Sequence, residues 1–272
     1  MIAQHITDKP ALILAAFGSS RRGKAIFDLF HEKVAERYRN YSIYWGYTSR
    51  IICRKTGKPS LHQTLVEVKS AGFRQAIILP LQIFPGAEYQ NISAAAVNFP
   101  DLEVVVGETL MHRWKFVKEV LSVVEKDFAG SDQALNLLAL HGSPLAGDPA
   151  NGVCLGLEKL VTDRYDHVMV ASLEGVPDHE AVFRKMKRSM LVEKYQRIRI
   201  LPLLFIAGLH VEDDLMGEGP SWKVSLENMG FDVECPVVEF GGERFYKSLA
   251  CYPEVLEFFL QRLERSLTLL RS

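Results

Sequence analysis

The sequence predicts an α/β protein of two similar lobes, each a parallel sheet flanked by helices, with the active cleft between them. Three observations carry this. Short apolar runs of strand length alternate with stretches of helical spacing, the pattern of parallel sheets covered on both faces. Ile78-Leu79-Pro80-Leu81 recurs as Ile200-Leu201-Pro202-Leu203, followed at equal spacing by Gly86 and Glu88 in one case and by Gly208 and His210 in the other. Phe17-Gly18-Ser19 likewise has a counterpart in His141-Gly142-Ser143. The first match is offset by 122 residues (78 to 200) and the second by 124 (17 to 141). Two matches at nearly one offset identify an internal repeat. The expected lobes are 1–130 and 131–272, with the boundary near Ser131-Asp132.

The elements follow in order. Residues 11–17 form a continuous apolar run closing on Gly18-Ser19-Ser20, as a strand buried on both faces and followed by a turn requires. Residues 24–39 place Ile26, Leu29, Phe30 and Val34 on one helical face. Strands are expected at 41–47, 75–84 and 103–107, with helices at 60–71 and 113–128. The order then restarts, with strands at 135–140, 167–173, 197–206 and 233–238. Helices are expected at 151–164, 180–194, 221–229 and, as a long amphipathic closing segment, 253–270.

Bulk properties exclude several classes. Of 272 residues, 48% are hydrophobic and 24% charged, enough for a core without disulfides. A net charge of -1 and a pI near 6.7 give no bulk electrostatic case for nucleic acid or for an anionic membrane. Cys53, Cys154, Cys235 and Cys251 form no CxxC pair and read as reduced cysteines of a cytoplasmic protein. MIAQHITDKP lacks the basic and apolar regions of a signal peptide, and no apolar run reaches the roughly 18–20 residues of a membrane span. A homo-oligomer is compatible with this composition.

The chemistry-bearing residues sit at strand ends, where open α/β sheets bind ligands. His141 ends one strand, and His210 follows another after a glycine turn. Either histidine alone is more often a hydrogen-bonding residue than a ligand, and the acidic run Glu212, Asp213 and Asp214 reads as a solvated loop or helix cap. The repeat puts both histidines at the mouth of one lobe, and Glu174 ends the strand between them in sequence. Two imidazoles and a carboxylate at neighbouring strand ends suit an open site for Co²⁺, Fe²⁺, Ni²⁺ or Zn²⁺. An open position is what a metal in transit needs, since a closed four-ligand cage would retain it. The first lobe offers Glu88 and a basic set, Arg21, Arg22, Lys24, Arg50, Arg54 and Lys55, suited to a polycarboxylate. Gly18-Ser19-Ser20-Arg21-Arg22-Gly23-Lys24 meets the GxxxxGK spacing of a phosphate-binding loop, but Ala25 replaces the magnesium-binding Ser or Thr. A nucleotide-binding protein is therefore the weaker reading. Trp222, after the turn Gly217 to Ser221, can pack on substrate or in the core.

From Pro10 to Leu270 the chain resembles the class II chelatases, and within them the anaerobic sirohydrochlorin cobalt chelatases. The resemblance is carried by Phe17-Gly18-Ser19-Ser20, Tyr47-Thr48-Ser49-Arg50-Ile51-Ile52, Gly86-Ala87-Glu88-Tyr89, His141-Gly142, Glu174-Gly175-Val176-Pro177, the stretch Pro202 to His210, and Ser221-Trp222-Lys223. The chain departs from the family pattern at Gln82, where relatives often have His, and at Leu209, where they often have Asp.

The resemblance implies a cytoplasmic enzyme that inserts a divalent metal, Co²⁺ first and Fe²⁺ or Ni²⁺ as alternatives, into sirohydrochlorin or a related tetrapyrrole during cobalamin or siroheme synthesis. It implies His141, His210 and Glu174 as metal ligands. Catalysis would use His141, His210 and Glu88, while Ser19, Arg21, Thr48, Arg50 and Trp222 bind substrate. No organic cofactor is expected. A metal- or tetrapyrrole-binding protein without turnover is the reading of a different class.

Overall fold

In the computed structural model, which describes residues 9–18, 23–240 and 242–271, every residue of strand β1 (Ala11–Ala16) is buried. This is the two-sided burial that its unbroken apolar run requires. The chain divides into two units, Met1–Phe116 with Pro253–Ser272, and Val117–Tyr252.

In the first unit β1 is followed by α1 (Lys24–Arg37), β2 (Ile43–Tyr47), α2 (Arg50–Thr56), α3 (Leu61–Ser70), β3 (Gln75–Pro80), α4 (Ala87–Val97) and β4 (Glu103–Val106). The four strands are parallel in the order β2-β1-β3-β4. Alternation along the strands sends Ala11, Ile13, Ala15, Ala76 and Ile78 to one face, where Leu61, Leu65 and Val68 of α3 and Ile92 of α4 cover them. Each such Leu or Ile contributes about 1.5–3 kcal/mol on leaving water. A capping box at Ser60 and Gln63 starts α3. The unit boundary falls within α5 (Trp114–Val124).

The second unit runs through β5 (Leu135–Gly142), α6 (Pro149–Arg164), β6 (Val168–Glu174), α7 (His179–Arg188), α8 (Leu191–Lys194), β7 (Arg197–Pro202), α9 (Trp222–Glu227) and β8 (Asp232–Glu234). Its strands are again parallel, in the order β6-β5-β7-β8. An antiparallel hairpin of β9 (Val237–Phe240) and β10 (Glu243–Tyr246) follows. Asn136, fully buried on β5, accepts from Ala129 N–H at 2.9 Å and donates to Ala129 O at 3.0 Å, tying the lead-in segment to the sheet.

The letter repeat is a structural repeat. Ala15 pairs with Pro80 and Ala139 with Pro202, and the next amide in each half, Leu81 or Leu203, donates to the alanine carbonyl at 2.8 Å. At the sheet edges Tyr47 bridges to Ser60 and Ser172 to Asp178, and both partners cap the following helix. Residues two further on therefore correspond, so Ser49 occupies the place of Glu174.

The structure differs from the expected elements in identifiable ways. The strands expected at 75–84 and 197–206 end at Pro80 and Pro202, and the apolar run continues as buried loop. The helix expected at 180–194 breaks into α7 and α8 at Met190, whose φ is 48°. Helix α10 (Pro253–Arg271), placed by chain order in the lobe 131–272, belongs to the first unit and packs on β3 and β4. There Phe259 meets Phe30 edge-on at 5.9 Å, and Arg37 forks onto Glu257 at 2.6 and 2.9 Å. A sheet needs both faces covered, and an amphipathic helix from the far end of the chain meets that need as well as a neighbour does.

Gly142 and Gly175 have φ of +72° and +79°. A methyl on Gly142 would run into the carbonyl of Glu174, and one on Gly175 into that of Ser143. Gly142→Ala is expected to destabilise the protein by about 3 kcal/mol or more, from left-handed strain plus overlap. Gly147→Ala, where a methyl meets nothing within 4 Å, should shift stability by no more than about 0.5 kcal/mol. Urea unfolding of the two variants beside wild type checks the contrast.

Candidate metal centre

The order β6-β5-β7-β8 makes the pair β5 and β7 a topological switch point. Helices α7 and α9 share one apolar cluster on one face of the sheet, while α6, outside that cluster, packs on β5 and β6. Connections leaving β5 and β7 thus diverge, and a crevice opens at their carboxyl ends. His141 lies there on β5, half-exposed, and His210 opens a π-helical turn (His210–Leu215) after β7. The structure brings these two together, their ring centroids 4.8 Å apart at an interplanar angle of 88°. Nδ1 of His141 lies 3.1 Å from Gly142 O, and Nδ1 of His210 lies 2.7 Å from Asp214 Oδ2.

Glu174 is the exposed last residue of β6, paired in register with Gly142. The approach at Gly142 and Gly175 holds the two strand ends together. Buried polar groups hold the loops beyond them. Ser172 Oγ donates to Val176 O at 2.9 Å, and Ser172 N–H donates to Pro177 O at 2.7 Å. Asn151 Nδ2 donates to Ser143 O at 3.3 Å and to Leu145 O at 2.9 Å. Among the described residues no group of three or more His, Cys, Asp or Glu side chains gathers to hold a metal ion. The arrangement is a pair of imidazoles with an exposed carboxylate on the adjoining strand end.

The corresponding positions of the first unit carry different chemistry. Phe17, in the place of His141, is 52% exposed. Ser49, in the place of Glu174, is 8% exposed and caps α2 by accepting from Ile52 N–H at 3.3 Å. Glu88, in the place of His210, is half-buried in the first turn of α4. Close by, the Tyr89 and His112 rings meet edge-on at 5.3 Å. Burial pushes the Tyr89 hydroxyl up and the His112 imidazole down, so both are neutral near pH 7. Glu108 is paired with Arg113 and lies 3.4 Å from Arg265.

Thr48 is half-buried, its Oγ1 3.4 Å from Ala16 O, and Arg50 is exposed as the first residue of α2. Ser19 and Arg21 lie outside the described residues, as does most of the 18–24 loop. Lys24 at the end of that loop pairs with Asp28 at 3.1 Å. Trp222, expected among the substrate-binding residues, lies in the apolar cluster of the second unit. It is 3% exposed, stacked on His179 at 5.3 Å and edge-on to Phe183 at 5.6 Å, so its ring is occupied within the core. Asp214, read from the sequence only as part of a solvated acidic run, and Asn151 and Ser172 were not expected as site residues. The spacing of His210 and Asp214, four apart, was a signal for the first of them.

The pattern of the family described as "Cobalt chelatase (CbiK)" matches residues 10–268. The protein named sirohydrochlorin cobaltochelatase CbiKC, from Nitratidesulfovibrio vulgaris strain Hildenborough, is 26% identical over 254 residues, covering 84% of this chain and 83% of its own. Among solved structures, SirB from Bacillus subtilis with Fe³⁺ superposes with a TM-score of 0.63 at 13% identity, over 95% of each chain. The sirohydrochlorin chelatase SirB from Bacillus subtilis subspecies spizizenii, in complex with cobalt, gives 0.59 at 13% identity over 96% of each. These two show the shared fold. Because the family pattern spans nearly the whole length, on a fold whose halves repeat and whose two strand-end histidines meet, the chain belongs to the cobalt chelatase (CbiK) family of metal chelatases.

Proposed function

We propose that the chain inserts Co²⁺ into sirohydrochlorin, with His141 and His210 holding the incoming metal and Glu174 as third ligand. The observation that carries this reading is the pair of imidazoles 4.8 Å apart at a switch-point crevice. The name of the Nitratidesulfovibrio vulgaris relative supports the macrocycle and the metal. Iron or nickel remains the alternative metal, because the affinity order of N and O donor sites does not by itself favour cobalt.

The reaction exchanges two pyrrole protons for one divalent cation, the metal being substrate. A flat macrocycle keeps its nitrogen lone pairs in the ring plane, so the protein must favour a bent form that resembles the transition state. Imidazole and carboxylate release a metal more readily than thiolate does, and none of the four cysteines is among the proposed ligands. Glu88 is proposed as an acceptor of pyrrole protons, and Arg50, with Thr48, Ser19 and Arg21, as contacts to the substrate periphery. Chelation is downhill once its barrier is lowered, so neither ATP nor an organic cofactor enters.

In an absorbance assay with sirohydrochlorin and Co²⁺, wild type should turn over repeatedly. A trace that stops at one equivalent per chain would instead make the protein a binder. His141→Ala and His210→Ala should each lower turnover by at least about 100-fold, more than loss of an outer-shell partner costs a metal site. Near-normal rates in either variant would remove that residue from the metal path. Arg50→Ala should raise KM for the macrocycle about three- to fivefold with kcat little changed, as for one exposed charge pair. An unchanged KM would count against pairing with a substrate carboxylate.

A further inference from the structure

We infer that Asp214 is a positioning residue for His210, fixing the tautomer and the direction of the imidazole that receives the divalent cation. This rests on the reading of His210 as a metal ligand. The Asp214 carboxylate lies 2.7 Å from Nδ1 of His210. A carboxylate only accepts hydrogen bonds, so Nδ1 carries the hydrogen and the ring's lone pair stays on Nε2. His141 reaches the same state by another route. Its Nδ1 lies 3.1 Å from the carbonyl oxygen of Gly142, which also only accepts. Two rings with centroids 4.8 Å apart therefore both keep Nε2 as the nitrogen able to bind a metal. The partner on the other nitrogen is what orients a ligating histidine.

The two histidines need different partners because their backbones differ. His141 lies on β5, where the strand end itself supplies a fixed carbonyl. His210 opens a turn beyond its strand, so a side chain from the same turn takes that place. In this turn Met216 N–H donates to Val211 O five residues back at 3.0 Å, the π-helical closure. Single π-helical turns of this kind occur frequently at functional sites. His210 and Asp214 are 52% and 51% exposed at the side chain, and ion pairs so exposed contribute little to stability. The consequence of the contact is orientation, not folding.

The test uses the full chain, free of metal and macrocycle. Long-range ¹H–¹⁵N correlation of the histidine rings reports which nitrogen of His210 is protonated in the neutral form. Wild type should show Nδ1–H, and Asp214→Ala should lose that preference. Calorimetric titration with Co²⁺ should then show binding weakened about 10- to 100-fold in Asp214→Ala, with Tm unchanged. Asp214→Asn should be similarly weak, because an amide can donate as well as accept and no longer enforces one tautomer. Asp214→Glu, which keeps the acceptor, should be closest to wild type. Wild-type Co²⁺ affinity in Asp214→Ala, or an Nε2–H tautomer in the wild-type protein, would overturn the proposal. His210→Ala separates the two levels of the argument. If it loses Co²⁺ binding while Asp214→Ala does not, only the positioning role fails. If it binds as wild type does, the ligand assignment fails and the positioning role with it.

Discussion

Gly142 and Gly175 let two strand ends approach more closely than any side chain would allow, and the candidate site is arranged around that approach. Each glycine takes a left-handed backbone, and each lies against the carbonyl of the other segment. His141 precedes one of them and Glu174 precedes the other, so the spacing of these two side chains is a backbone property. Ser172 and Asn151, both buried, hold the loops that continue from the two ends. His210 stands outside this lock. It reaches His141 from the loop after β7, on a π-helical turn, and depends on a side-chain partner for its direction.

The two units share strand order and register but divide the chemistry. The second carries the histidine pair. The first carries an exposed phenyl ring, a helix-capping serine and a half-buried carboxylate at the corresponding points. Strand pairing depends on backbone hydrogen bonds and apolar alternation, which both halves retain. Residues at strand ends are free of that duty and can diverge without disturbing the sheet.

Much of this was legible in the sequence, and the failures have physical causes. β1 was legible because burial on both faces demands an unbroken apolar run, and β5 because Asn136 is the one polar residue from Leu135 to Leu140. The equivalence of Glu88 with His210 was legible in the Ile-Leu-Pro-Leu repeat, and that of Phe17 with His141 in the Gly-Ser pair that follows each. Helices α2 and α4 were not, because α2 buries no residue and α4 buries only Ile92, leaving no apolar period to read. The docking of α10 on the first sheet depends on which face lacks cover, and that is a property of the fold. Trp222 was ambiguous because its environment comes from His179 and Phe183 on another helix. Asp214 looked like a solvated acid and is indeed half-exposed. Its spacing to His210 acquires meaning only once the intervening turn is known.

The capping role of Ser49 also bears on symmetry. A designer wishing to equip both halves with a metal site would write histidine at position 17, glutamate at 49 and histidine at 88. The middle change removes the oxygen that satisfies the Ile52 amide, and it puts a longer, charged side chain where only 8% of the serine is accessible. Helix α2 starts at Arg50, at the point where the second half runs its Gly175 loop. Mirroring the site would therefore require exchanging a whole connecting segment, so the asymmetry between the halves is written into chain length as well as into side chains.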